Sequence, residues 1–131
     1  MIALDTNVLV RYLAQDDARQ SAAATRLVEQ TLSPADPGYV SLVTLLETVW
    51  VMESCYGADA ATVASILDDI VDTASLLLQD AAAVKAAAQR YARGGVDLHD
   101  CLIVSLAAQR KAQVVTFDAK VAKRLGMQLL R

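Results

Sequence analysis

No stretch constrains the fold of this chain more than VDLHDCLIVSLA, Val96 to Ala107. From Cys101 to Ala108 only Ser105 is clearly polar, so as a helix the segment is apolar nearly all round. A helix of that kind belongs inside a core rather than on a surface. Yet it opens with Asp97 and Asp100. An unpaired carboxylate there is costly to desolvate, so these acids need a cation, a metal or the helix's own free amides.

Around this helix, short apolar runs alternate with helical patterns. Ile2-Ala3-Leu4 reads as a buried strand ending at Asp5, and TNVLVRYLAQ reads as the helix after it. Asp16 and Asp17 offer caps for a second helix, through about Leu32. SPADPG is a loop, Tyr39-Val40-Ser41 a short strand, and Val43 to Tyr56 an apolar helix ended by Gly57. Asp59 starts a helix to about Thr73, SLLLQ (Ser75 to Gln79) is a strand, and Asp80 to Arg93 is an alanine-rich helix stopped by Gly94-Gly95. After the apolar helix come strand QVVTF (Gln113 to Phe117), helix Ala119 to Leu125 and strand Met127 to Leu130. Strands alternating with helices imply an α/β sandwich with a mainly parallel sheet. With 131 residues, 55% hydrophobic, the chain has length for one domain, residues 1–131, and one core.

The N-terminal MIALDTNVLVRYLAQDD lacks the basic region of a signal peptide, and no apolar run reaches the roughly 20 residues that span a bilayer. Cys55 and Cys101 lie in apolar helical patterns and read as buried free thiols of a reducing compartment, which suits a cytoplasmic protein without a membrane partner. Net charge is −3, but residues 1–84 hold three basic and twelve acidic side chains, whereas residues 85–131 hold nine basic ones against Asp97, Asp100 and Asp118. That split is either a solvated basic surface or an electrostatic approach for a polyanion, with Arg90, Arg93, Arg110, Lys111, Lys120, Lys123 and Arg124 as its candidate side chains.

In such sheets ligands sit outside the carboxyl ends of the strands. Two strands end in aspartate, Asp5 and Asp118, and each also precedes a helix it can cap. Glu47 either completes a capping box begun at Thr44, or, if Ser41 is the true cap, lies within an apolar helix with no local partner. Asp97 is the better cap of the 96–107 helix, which leaves Asp100 in its first turns. Asp5, Glu47, Asp100 and Asp118 brought together would repel one another, and a divalent cation removes that conflict. Oxygen donors without His or Cys suit Mg²⁺ or Mn²⁺ rather than zinc, and such a site can work on a phosphodiester.

DTNVLVRYL at the N-terminus, LLETVW in mid-chain, DLHDCLIVSLA and the late TFD together resemble the PIN domain, and most of all its toxin ribonucleases of the VapBC type. The resemblance covers essentially the whole chain. It implies a three-layer α/β/α sandwich with a parallel sheet and Mg²⁺-dependent endoribonuclease activity. By position the family's acids fall on Asp5, Glu47, Asp100 and Asp118. Asp5 and Asp100 would be the firmest metal ligands, Glu47 and Asp118 would act through water, and Asn7 and Thr116 would be supporting polar groups. Asp97 is an additional acid, for capping or support. A cognate antitoxin whose C-terminal segment covers the site, and a homodimer, are implied as well.

Other readings compete. A metal-free ribonuclease commonly needs two groups titrating near neutrality, and His99 is the only histidine, on the rim between two aspartates. A phospho-accepting receiver domain wants an acid pair at its first strand, where Asp5 stands alone, and a central aspartate where this chain has Gln79. No GxGxxG or GxxxxGK[ST] marks a nucleotide site. A non-catalytic PIN-like module that binds a protein and keeps an idle acidic pocket is the non-enzymatic alternative. Trp50, Met52 and Tyr56, with Val63, Ile66, Leu67 and Ile70, are either ordinary core or a groove for a partner helix or a second copy.

Overall fold

The computed structural model describes residues 1–131. Five short strands alternate with helices: β1 (Ile2–Ala3), α1 (Thr6–Ala14), α2 (Ala18–Arg26), a π-helical turn Leu27–Thr31, β2 (Gly38–Val40), α3 (Leu42–Tyr56), α4 (Ala60–Asp72), β3 (Leu76–Leu78), α5 (Ala81–Tyr91), α6 (Leu98–Gln109), β4 (Val115–Thr116), α7 (Ala119–Leu125) and β5 (Gln128–Leu129). Every strand pair is parallel, and the architecture is the expected α/β/α sandwich. The strands fall into two sheets, β1-β2-β3 and β4-β5.

Local chemistry sets most element boundaries. Asp17 accepts from the Gln20 amide, Ser41 from that of Thr44 and Asp59 from that of Thr62, so each satisfies a donor the helix start leaves free. The Thr62 amide also holds the Asp59 carboxyl below its ordinary range. Ser41 is therefore the cap of α3, and the capping box from Thr44 to Glu47 is not formed. Gly57, in the left-handed region, ends the helix. In β2, a Cβ at Gly38 would sit 2.5 Å from the Leu4 and 2.6 Å from the Leu32 side-chain ends, so a larger residue would have to push these buried methyl groups aside.

The core draws Leu9 from α1, Val40 from β2, Leu45 from α3, Leu67 and Ile70 from α4 and Val84 from α5. The α4 stripe of Val63, Leu67 and Ile70 is buried and Ile66 packs against it, so this stripe is core; on α3, Met52 is buried but Trp50 is 62% exposed. Two expectations are corrected here. Cys55 is exposed rather than buried, because α3 ends at the rim of a cleft; Cys101 is buried, and both thiols are free. The all-apolar helix is not enclosed on every side: α6 buries Leu98, Cys101 and Leu102, and leaves Ile103 46% exposed. The reason is the split sheet. β4 does not lie on the β1-β2-β3 sheet, so one edge of β1 is open, and both its residues are exposed.

Tyr91 ties α5 to α3. Its ring is buried and its hydroxyl donates to Glu53 Oε2 at 2.5 Å. Burial, then the Glu53 hydrogen bond and charge, push the phenol well above its ordinary value of 10.0. A phenol raised in the fold contributes fully below the unfolded value, and loses that contribution as pH climbs toward the folded one. Thermal stability should thus fall above about pH 10. Tyr91→Phe should cost about 1.5–3 kcal/mol at neutral pH, as expected for a hydrogen bond to a charged group, and make the alkaline fall shallower. A Tm series from pH 7 to 11 checks both; equal slopes in the two proteins would remove Tyr91 from the account.

Candidate functional site

Strand β1 leads straight into the site. Leu4 still pairs with β2 through its amide to the Tyr39 carbonyl, 2.9 Å, and Asp5 then turns the chain into α1. Asp5 Oδ1 accepts from the Thr6 amide at 2.8 Å, and no other hydrogen bond occupies the carboxylate. Asp5 lines a cleft of about 360 Å³ together with Asn7, Arg11, Glu47, Cys55 and Tyr56. Arg11 is drawn toward Asp16 (3.1 Å) and Gln20 (2.9 Å). Tyr56 donates to Asp16 at 2.6 Å, which lowers that carboxyl and raises the phenol.

Glu47 lies on α3 with an exposed side chain and no hydrogen bond. It forms a wall shared by two clefts. The second, about 430 Å³, is lined by Glu47, Trp50, Glu53, Asp97 and His99. At the start of α6, Asp97 occupies the cap position but takes no amide with its side chain, and Asp100 lies in the first turn. Ligand atoms of Asp97, His99 and Asp100 all lie within 4.8 Å of one another. Beneath them burial raises the Cys101 thiol; Asp100 and Asp97 also raise it and Arg90 opposes them.

Asp5, Asn7 and Glu47 thus share one cleft, and Glu47 meets Asp97 across the next, with Asp100 beside Asp97. Asp118 and Thr116 line neither. Asp118 Oδ1 accepts from the Lys120 and Val121 amides at 3.0 and 3.1 Å, its own amide donates to Thr116 Oγ1, and the group caps α7 on the far sheet. Sequence reasoning missed two neighbours. His99 is exposed, as a rim residue would be, but lies within ligand reach of both aspartates; the spacing D-x-H-D was the available signal. Glu53 follows Trp50 by three and Glu47 by six on α3, so helical spacing was the signal that puts it on the same cleft, where it accepts from the Tyr91 hydroxyl.

The donors at α6 are two carboxylates and an imidazole, not oxygens alone. Carboxylates suit a hard divalent cation, and the imidazole widens tolerance toward Mn²⁺ and later metals. The positive end of α6 adds attraction for anions at this point. A larger cleft of about 540 Å³, between Tyr12, Glu29, Asp69 and Asp72, opens beside Leu76 at the start of β3. In a parallel sheet that is the end opposite Asp5, away from where strand ends deliver functional groups. Its Glu29 is also engaged by the Tyr12 hydroxyl at 3.1 Å, and burial followed by Glu29 raises that phenol.

No helix is long and apolar enough to cross a membrane. No curated protein matches the chain. The sequence profile of the PIN domain matches residues 2–126, a span holding every element from β1 to α7 and all the acids above, so the chain belongs to the PIN domain family.

Proposed function

We propose that this chain is a metal-dependent endoribonuclease, the VapC-type toxin of a toxin–antitoxin pair, with residues 1–131 acting as one cytoplasmic PIN-like unit. PIN domains are typically nucleases that use divalent metals. The observation that carries the reading is Glu47, an unpartnered carboxylate between the Asp5 cleft and the Asp97–Asp100 group. Asp5 and Asp100 are the proposed holders of Mg²⁺, or Mn²⁺, with Glu47 and Asp118 positioning water and Asn7, Asp97 and Thr116 in support. When bound, the cation supplies charge for the phosphodiester oxygens and an activated water. Exposed Trp50, on the rim of the second cleft, supports an antitoxin segment or a second copy covering the site, since large exposed apolar side chains beside a cleft favour partners. Cleavage of total RNA by the purified protein with and without Mg²⁺, followed by mapping of the ends, tests this. Metal-independent cleavage, or none, sinks it. The place of Asp118 outside both clefts favours a second reading, a protein-binding module with an idle acidic pocket, and the absence of cleavage would select it.

RNA needs cations as well as acids. Arg90 and Arg124 already donate to the Gly94 and Gly95 carbonyls. Arg93, Arg110, Lys111, Lys120 and Lys123 are exposed and in no ion pair, the one salt bridge being Arg11–Asp16. Two to four of the seven should hold phosphates, each adding roughly −0.7 to the salt slope of single-strand binding. Replacing those in an inactive Asp100→Asn background should weaken all RNAs alike and flatten the slope. Affinity measured across a salt series decides; no change at any of the seven would leave a merely solvated basic face.

A further inference from the structure

Residues 113–131 form an arm, β4-α7-β5, with its own two-stranded sheet. One hydrogen bond joins this arm to the rest of the chain: Arg124 Nη1 donates to the Gly95 carbonyl at 2.5 Å. Apolar packing adds little. Ala122 is the arm's buried residue and Leu125 rests on the core, whereas Val115 is 53% and Phe117 78% exposed. A two-stranded sheet alone is marginal in water, so the arm depends on what it is fastened to. The fastening point lies two residues before Asp97, in a loop whose Gly94 and Gly95 have φ of +78° and +79°. Those angles are open to glycine at little cost. Arg90 donates to the Gly94 carbonyl at 3.1 Å from the other side, so two guanidiniums fix one loop.

We propose that Arg124 is a positioning residue: its bond to Gly95 latches the arm to the loop that starts α6, and so sets where Asp118 and Thr116 stand relative to Asp97 and Asp100. The catalytic half of this inference rests on the ribonuclease reading; the latch does not. Both are tested by comparing the wild-type protein with Arg124→Ala and Arg124→Lys, using hydrogen exchange and steady-state RNA cleavage. In Arg124→Ala, amides of β4 and α7 should exchange on the order of tenfold faster, as expected for losing a bond from a charged donor, while those of α1 to α5 stay as they were. Its kcat should fall with KM nearly constant. Arg124→Lys, whose ammonium can still donate, should recover much of both. Unchanged exchange in the arm overturns the latch, as does acceleration throughout the chain, which would report global stability. Unchanged exchange with weaker RNA binding and a flatter salt slope would make Arg124 a phosphate contact instead. Faster arm exchange with unchanged kcat overturns the positioning role. A wild-type protein that cleaves no RNA counts against the ribonuclease reading, while exchange still measures the latch.

Discussion

Asp5→Asn and Asp100→Asn should each lower metal-dependent RNA cleavage by about a hundredfold or more, since even residues that only orient metal ligands are commonly worth 10–100-fold. Folding should survive both. Asp5 keeps its cap, because the asparagine oxygen can accept from the Thr6 amide as Asp5 Oδ1 does. Asp100 takes no hydrogen bond that the change would break, and loss of its charge eases repulsion from Asp97. Thermal stability without metal should therefore hold or rise, while stabilisation on adding Mg²⁺ should shrink. Cleavage by either variant at the wild-type rate would show that the acid in question is not a metal ligand.

Glu47→Gln is the sharper discriminator. Ser41 caps α3 and Glu47 accepts no hydrogen bond, so its charge has no structural task. The exposed substitution should move stability by less than about 0.5 kcal/mol. Activity should still fall roughly 10–100-fold, because an amide cannot take a proton from water or orient it as a carboxylate does. A melting curve and a cleavage time course on one preparation separate the two quantities. Full activity would reduce Glu47 to a solvated side chain on the wall between two clefts.

What the sequence revealed and what it hid divides by range of interaction. Asp17, Ser41 and Asp59 act on amides three residues away, so their helices could be read locally. The competing capping box at Thr44 could not be eliminated that way, since both cap geometries were available to the same residues. The parallel α/β architecture follows from alternation, and it is the architecture found. Longer-range arrangement was not legible. Whether β4 lies against β1 depends on partners more than a hundred residues apart, and where Asp118 stands follows from that placement. Cys55 reads as buried from an apolar helix, yet a helix end at a cleft rim exposes it. His99 was visible between its two aspartates and read as a rim residue; that its ring reaches both carboxylates as a third donor shows only in the folded chain.

The three-stranded sheet is complete by Leu78. During synthesis a chain folds from its N-terminus as it emerges, at about 5–20 residues per second. The β1-β2-β3 layer and the Asp5–Glu47 cleft can therefore form while α6 and the arm are still being made. Asp97, Asp100 and Asp118 join only a few seconds later, at that rate, and the basic residues of the last third arrive with them. A nascent chain on the ribosome, surrounded by RNA, would thus carry two of these five acids and few of the cations, and the full set would come together only once Asp118 had emerged.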